Sequence, residues 1–521
     1  DYTKQGEYSS SKSRSWRYTM NTGIAYALSL NDHNLTFNGR AEIRSTSSNT
    51  ESFVATGFPK GVGAIPSFAY SFKENSTPGY SESISRGVSF LGTFNYNYKY
   101  RYLFDASLSS DGSTSFGRDK KFQTFWSVGA GWNVSKESFA KDWDWMQELK
   151  LRGSFGSNGN QNVSNLTSNV YSYYAGSDIF GTASYLSGYA NPNLEWQVVK
   201  KTSVGIDLMF WDNRLLLTMD YYHTNTNPLV VSIQQKPSSG LSTLPINLGH
   251  LNTNGFEFNV SWYAIRNLEK RIMLNFRLNG NTYKSVYGGF GEALANLNDA
   301  YKKDSSVDSK LNVNSMIQYQ DGESPTALFA VRSLGIDPAT GKEVFLTKNG
   351  TPTFDYNADD RVKIADTNPK IRGVFGISFT YKNLQASVNL RYNLGSFAFN
   401  SALFNKVENI SASNIAYNQD KRALYSRWQN AGDVSQFKGI SLTTQTPISS
   451  RFVQRDNYLR GESARISWDF SRDEWIKRLF LKDLRFNVSF NDFFDLSEMK
   501  RERGTDYPFQ RAISFGLSAR F

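Results

Sequence analysis

The sequence predicts an all-β fold, a transmembrane antiparallel β-barrel wall of about fifteen strands. Three observations predict it. Apolar and polar residues alternate with period two in many separate segments. These segments are long, about nine to fifteen residues, where a tilted membrane-crossing strand needs roughly ten and a globular strand about five or six. Their connections alternate between short and long, the pattern of a barrel with tight turns at one rim and extended loops at the other.

The alternation is clearest near the end of the chain. Ile513, Phe515, Leu517, Ala519 and Phe521 interleave with Ser514, Gly516, Ser518 and Arg520. Leu484, Phe486, Val488 and Phe490 interleave with Arg485, Asn487, Ser489 and Asn491. Phe256, Phe258, Val260 and Trp262 do the same with Glu257, Asn259 and Ser261. Successive side chains of a strand point to opposite faces, so each segment has one apolar and one mostly polar face. The expected strands cover 18–30, 33–48, 82–96, 98–110, 123–134, 147–157, 198–210, 214–225, 252–264, 270–284, 370–381, 384–396, 457–470, 480–493 and 510–521. Short turns are expected near Asn31–Asp32, Asn95–Tyr98, Trp211–Arg214, Arg266–Lys270 and Lys382–Leu384. Long loops are expected near 46–80, 156–198, 224–251, 286–368 and 395–456. Within the loops, Ala327–Leu346 reads as a hairpin turning at Asp337–Gly341, Ala402–Gly432 as carrying helical stretches including Ala416–Gln429, and Asp473–Leu479 as a short amphipathic helix.

Composition agrees. The 521 residues are 39% hydrophobic with a mean hydropathy of -0.49, and contain no run of apolar residues long enough for a membrane helix. A barrel keeps a polar average because alternation dilutes its apolar face. The 38 Phe, 29 Tyr and 11 Trp, with only 13 Pro, favour strands. The absence of Cys excludes thiol catalysis, disulfide frameworks and cysteine zinc sites. The net charge of +11 is spread along the chain without a dense basic block, which argues against nucleic-acid binding. Asp1–Ser10 is polar and lacks the apolar core of a signal peptide, and the chain begins at Asp rather than Met, so it is expected to be processed, truncated or begun at an internal point.

Candidate site residues are few. His33, His223 and His250 lack metal-ligand spacing and read as structural. Asp355, Asn357, Asp359 and Asp366 have the spacing of a calcium loop, but Asp360 stands where such a loop needs Gly, and Asp366 where it has Glu. Calcium is the one cofactor weighed, and a polar external turn is the preferred reading. Tyr171, Tyr173, Tyr174, Phe180, Tyr185 and Tyr189 crowd one loop with aromatic faces that can stack on sugar rings or pack against peptide side chains. Gly288–Gly291 lacks the following Lys-Ser/Thr of a phosphate loop and reads as a flexible loop tip. No acidic pair has a general acid or base partner, so an enzyme is not expected.

Five motifs, in order, carry a family resemblance. Asp111-Gly-Ser-Thr-Ser-Phe-Gly117, Leu149-Lys-Leu-Arg-Gly-Ser-Phe-Gly-Ser-Asn-Gly-Asn-Gln161, Asn191-Pro-Asn-Leu-Glu-Trp196, Asn247-Leu-Gly-His-Leu-Asn-Thr-Asn-Gly-Phe-Glu257 and Asp366-Thr-Asn-Pro-Lys370 resemble motifs of SusC-like (RagA-like) TonB-dependent outer-membrane transporters. Thr253 departs from that pattern. Phe521 resembles the carboxy-terminal aromatic that marks proteins inserted into the outer membrane. The resemblance implies that residues 1–521 form the carboxy-terminal portion of a plugged barrel of roughly 22 strands. The first strands, the amino-terminal plug and the TonB box would lie outside this chain. It further implies a cell outer membrane location in a Gram-negative, Bacteroidota-type bacterium. The implied activity is import of oligosaccharides or oligopeptides with a SusD-like surface lipoprotein, energised by TonB through the plug. The expected partners are that lipoprotein, TonB, the remaining amino-terminal part of the barrel and outer-membrane lipid, with no nucleic acid. The alternative is a non-transporting scaffold subunit of a larger outer-membrane assembly.

Overall fold

A computed structural model describes residues 6–59, 61, 65–73, 76, 78–114, 116, 120–160, 170–174, 183–188, 191–234, 243–291, 316, 318–478, 480–500 and 511–521. Fifteen long strands follow one another in a single antiparallel path, each paired with its sequence neighbours. They are β1 (Glu7–Leu30), β2 (His33–Thr56), β3 (Gly79–Tyr98), β4 (Tyr102–Ser113), β5 (Phe122–Asn133), β6 (Met146–Asn160), β7 (Gln197–Phe210) and β8 (Leu215–Thr226). The path continues through β9 (His250–Asn267), β10 (Ile272–Gly288), β11 (Ile371–Tyr381), β12 (Leu384–Leu394), β13 (Tyr458–Asp469), β14 (Asp483–Ser497) and β15 (Ala512–Arg520). The short strand Ser71–Phe72 adds to the far end of β2. Among the described residues no helix is long and apolar enough to cross a membrane.

Every expected strand is present, and the differences have local causes. The hairpin β1–β2 is 24 residues on each arm, far longer than expected. Its outer half pairs Ser11 with Ser52, Ser15 with Ser48 and Trp16 with Ser47. Both faces there are polar, so no alternation marks it. At about 3.3 Å per residue the hairpin projects far beyond a hydrocarbon layer about 30 Å thick. The turn expected at Asn95–Tyr98 lies instead at Lys99–Arg101. Lys99 and Tyr100 take φ values of 53° and 56°, and the Asn97 side chain accepts the Tyr100 N–H at 2.7 Å. Asp111, expected just past β4, lies within it, where its carboxylate accepts hydrogen bonds from the hydroxyls of Ser89 and Ser109.

The ladders put like side chains in register. Leu217, Val260, Leu278, Phe375 and Leu390 are successive partners across β8–β12. Trp262, Phe276 and Phe375 stack along the same face at 5.6 and 6.4 Å. Trp126, Trp262, Trp468, Phe486 and Phe515 on that face are exposed to the surroundings. A wide exposed apolar face is costly in water and neutral in lipid. The opposite face carries Asp, Glu, Arg, Asn and Ser, as a polar lumen does.

Connections sort by side. Those at 31–32, 99–101, 134–145, 211–214, 268–271, 382–383 and 470–482 lie at one rim. The strand ends that open into 57–78, 114–121, 161–196, 227–249, 289–370, 395–457 and 498–511 lie at the other. The expected helix near Asp473 is present as Glu474–Arg478, with Ile476 fully buried. The hairpin expected in 327–346 is present: Ala327–Ile336 pairs with Glu343–Leu346, and Gly341 takes φ 68° at the turn. The expected helix at Ala416–Gln429 is reduced to Arg422–Tyr425, preceded by a π-turn at Leu403–Glu408 and a 3-10 turn at Ala412–Asn414. Hydrogen bonds from Arg and Asn side chains satisfy that loop's backbone in place of a regular helix.

At the turn rim Glu137 closes the β5–β6 connection. It accepts the Tyr102 hydroxyl at 2.8 Å and the Trp132 indole N–H at 3.0 Å, beside Arg101 at 3.3 Å. The Tyr102 hydrogen bond first, then that of Trp132, holds its carboxyl below the ordinary carboxylate value. Because the folded-state pKa is depressed, the stabilisation is complete above the ordinary value and is lost as pH falls through the depressed one. Glu137→Gln should therefore flatten the acid limb of thermal stability below about pH 4.5, read by scanning calorimetry in detergent from pH 3 to 7. An unchanged acid limb contradicts this.

Candidate functional site

The polar face of the sheet is organised rather than merely hydrophilic. Arg152 on β6 reaches Asp207 on β7 at 2.8 Å and Asp220 on β8 at 3.1 Å. Between them, Gly205 pairs with both Arg152 and Asp220 in the ladder. A Cβ at Gly205 would collide with the Asp220 carboxylate and come within 2.9 Å of the Arg152 guanidinium. The glycine is what lets charges from three adjacent strands meet.

The row continues. Asp220 pairs with Glu257, Glu257 with Asn281 and Asn281 with Arg372. Arg372 donates from Nε to Asn281 at 3.1 Å and lies 5.4 Å from the centre of the Tyr283 ring. Farther round, Arg391 is ion-paired to Glu462, and Arg460 to Asp495 at 3.0 Å. Strands β8–β13 enclose a wall cavity of about 460 Å³, lined among others by Thr218, Asp220, Glu257, Asn279, Arg372 and Arg391. Such a surface can replace the hydration shell of a polar solute with amide and charged groups.

On the long-loop side the connections 289–370 and 395–457 share one core. Met316, Leu328, Ala330, Phe399, Phe404, Ile448 and Phe452 pack together, with Phe404 against Phe452 edge-on at 5.0 Å. Beside this core Arg451 bridges two buried carboxylates, Glu343 from the first loop at 2.9 Å and Glu408 from the second at 2.7 Å. Ser449 donates to Glu343 at 2.5 Å and Thr446 to Glu408 at 2.9 Å. Burial by itself would lower the Arg451 pKa, but hydrogen bonding and attraction from Glu408 and Glu343 outweigh it and raise it. Arg427 is held differently, by the carbonyls of Ala423 and Lys438 at 2.9 Å each and of Glu408 at 3.1 Å; burial lowers its pKa. The two loops thus form a single loop platform, joined by one core and one buried charge bridge.

Three of the sequence motifs meet at the base of the loops. Phe116 stacks on Trp196 at 4.0 Å, with Phe125 edge-on at 5.7 Å, and all three are buried. The Trp196 indole donates to the Lys120 carbonyl at 3.0 Å. Asn247 and Glu195 exchange two hydrogen bonds, 2.7 and 3.0 Å, and Asn191 donates to the Pro245 carbonyl at 2.9 Å. A fourth motif works at the next rim position, where Asn368 donates to the Tyr283 carbonyl at 2.7 Å and its own N–H goes to Asp366 at 2.8 Å. These motifs are latches that fix loop bases to the rim. The sequence marks them through resemblance and does not separate latch from ligand site.

The expected site residues fare unevenly. Tyr171, Tyr173, Tyr174 and Tyr185 lie on a two-stranded ribbon, Val170–Tyr174 paired with Ala183–Gly188, whose side chains fall outside the described residues. Phe180 and Tyr189 lie outside the described residues altogether. The calcium pattern is not assembled. Asn357 accepts the Asp359 N–H at 3.0 Å, Asp366 accepts the Thr326 hydroxyl at 2.6 Å, and Asp355 sits exposed in a turn. Among the described residues no group of three or more acidic or histidine side chains could hold a metal. His33 bonds to the Tyr96 hydroxyl at 2.8 Å and His223 to Asn254 at 2.7 Å. The stretch Gly288–Gly291, read as a flexible tip, is an anchor: Phe290 is buried against Leu229 and Val231, and its N–H goes to Asp321 at 3.2 Å. Phe521 ends the chain exposed at 77%. Of the wall residues, Arg152 and Glu257 fall within two of the quoted motifs, while Asp207, Gly205 and Arg372 carry no signal of their own in the sequence, because the alliance is made across strands.

The family described as "TonB dependent receptor-like, beta-barrel" matches residues 1–323. The chain belongs to that family. Curated relatives include TonB-dependent receptor P3 of Formosa agariphila, 26% identical over 81% of this chain and 41% of its own length. TonB-dependent receptor SusC of Bacteroides thetaiotaomicron is 25% identical over 83% of this chain and 44% of its own. The chain therefore spans less than half the length of these curated relatives. Its fold is similar to the solved structure of the RagAB peptide transporter, with a TM-score of 0.80, 19% identity and coverage of 95% of this chain and 53% of that one. The SusC-like resemblance and the outer-membrane barrel are borne out.

Two outcomes are expected for this family member. Arg451→Met strands two buried carboxylates, a loss of about 3–5 kcal/mol for breaking a buried pair, and should expose 395–457 to limited proteolysis while the barrel keeps its heat-modifiable gel mobility. Trp196→Ala should cost the rim latch about 3–5 kcal/mol, seen as new cleavage in 114–121 ahead of any barrel unfolding. Protection equal to the parent protein in either case contradicts the role given to that residue.

Proposed function

We propose that this chain is the lumen wall and loop platform of a SusC-like TonB-dependent transporter that imports oligosaccharides or oligopeptides across the outer membrane. The observation that carries this reading is the ordered polar face: charged and amide residues in cross-strand register through β6–β12, backed by an apolar face suited to lipid. The loop platform would receive a SusD-like surface lipoprotein, and the aromatic residues Tyr171, Tyr173, Tyr174 and Tyr185 would offer stacking faces to a substrate. RagAB, whose fold this chain resembles, is a peptide transporter, and that supports an import role for the shared architecture.

The sheet supports a second part of the proposal. Among the described residues β1 and β15 are the two ends of the strand path, with no pairing to one another. Open edges in hydrocarbon leave backbone groups unsatisfied at several kcal/mol each. We propose that further strands, and the plug through which TonB acts, are contributed by sequence beyond this portion of the protein.

Deleting the TonB gene, or the gene of the SusD-like lipoprotein, in the producing cell should abolish growth on the imported oligomer while surface display of the barrel persists. Growth at the parental rate in both deletions overturns the proposal. Stable co-purification with envelope assembly factors, without uptake, would instead favour a scaffold.

A further inference from the structure

Four charged side chains line the wall cavity, and two of them are already paired. Asp220 is held by Arg152 at 3.1 Å, and Arg391 by Glu462. Two are not. Glu257 and Arg372 line the same cavity, both exposed to it, and among the described residues neither has an ionic partner. They belong to one cross-strand row, Glu257–Asn281–Arg372, so a single strand separates their backbones. Two inter-strand spacings put those backbones about 10 Å apart, and Asn281 stands between them where Gly205 leaves room for Arg152 to reach Asp220, so the two do not pair directly. Asn281 between them accepts from Arg372 Nε at 3.1 Å, which fixes the guanidinium and leaves its terminal nitrogens free to donate. Tyr283 beneath the guanidinium limits its swing further.

We infer that Glu257 and Arg372 form a subsite for a zwitterionic ligand, a short peptide whose ammonium meets Glu257 and whose carboxylate meets Arg372. This rests on the import reading above and narrows its substrate class. The length fits. An extended chain spans roughly 3.3–3.6 Å per residue, so the charged ends of a tripeptide are about 10 Å apart. The chemistry fits as well. A guanidinium fork matches a carboxylate through two parallel hydrogen bonds. Asn281 between the two charges, with Asn279 and Asn259 in the adjoining row, supplies donors and acceptors for the peptide groups in between. A neutral glycan would use the amides but leave both charges desolvated and unmatched, which disfavours it.

The test uses the intact transporter purified in detergent, with calorimetric titration of trialanine, N-acetyl-trialanine, trialanine amide and maltotriose. Trialanine should bind, and blocking either end should weaken it about tenfold, the scale of one charge-assisted contact. Glu257→Gln should weaken trialanine by the same factor and leave the affinity for N-acetyl-trialanine unchanged. Arg372→Gln should do so for trialanine and leave the amide unchanged. Both side chains are solvent-facing, and heat-modifiable gel mobility checks that the barrel is intact. No trialanine binding, equal binding of maltotriose, or indifference to both substitutions overturns the subsite. Uptake of labelled trialanine separates this from the import reading. TonB-dependent uptake that ignores both substitutions sinks the subsite and keeps import. Substitution-sensitive binding with TonB-independent uptake keeps the subsite and sinks import.

Discussion

Within hydrocarbon no water is available to hydrogen-bond a free peptide group, so a spanning chain must satisfy its backbone internally. Most of this molecule follows from that requirement. Each of the fifteen strands takes its neighbours in sequence as its neighbours in space, because short antiparallel connections close a ladder at the least entropic cost. Irregular backbone is then confined to the two rims, where water or protein can satisfy it. One rim uses two to thirteen residues for each turn, and the other gathers the loops and their secondary elements. The β1–β2 hairpin shows the same rule from the opposite side. Once past the apolar belt it keeps its ladder, but its side chains become mostly polar on both faces.

A different force organises the long-loop side. The outer face of the barrel gains little from burial, since lipid is as apolar as its Phe and Leu side chains. The loop platform is surrounded by water, so there the hydrophobic effect builds a core of ordinary protein type around Phe404 and Phe452. The platform also buries Glu343, Glu408 and Arg451, a combination that is tolerable only because each carboxylate has a hydroxyl donor as well as the shared guanidinium. Tying two loops through one arginine makes them move together. The rim latches of Trp196, Asn247 and Asn368 then set where that unit stands relative to the wall.

The family motifs and the candidate binding wall overlap at two side chains, Arg152 and Glu257, and otherwise occupy different places. The motifs are rich in Asn, Gly and Pro because they make reciprocal side-chain-to-backbone contacts at loop bases. Asp207, Gly205, Asp220 and Arg372 have no such local signature. Gly205 is one glycine among 39, and its meaning, room for Arg152 to reach Asp220, exists only when three strands are side by side. Glu257 and Arg372 are 115 residues apart in the chain and two strands apart in the sheet.

Strand positions are legible because alternation is imposed by the two solvents that a strand meets, and that pattern is local. Phe256–Trp262 or Ile513–Phe521 can be read without knowing any neighbour. Where both faces meet water, as in Glu7–Arg17, the pattern disappears and the strand cannot be read. Loop contents are legible only where a turn residue acts alone, as with Asp337–Gly341, while Phe290 reads as a mobile tip until its pocket of Leu229 and Val231 is in place. The sequence by itself determined the period, length and order of the strands, because these depend on contacts with solvent. Only the tertiary structure decided which charges neutralise one another and which stay open to a ligand, because cross-strand register brings together side chains that share no local pattern.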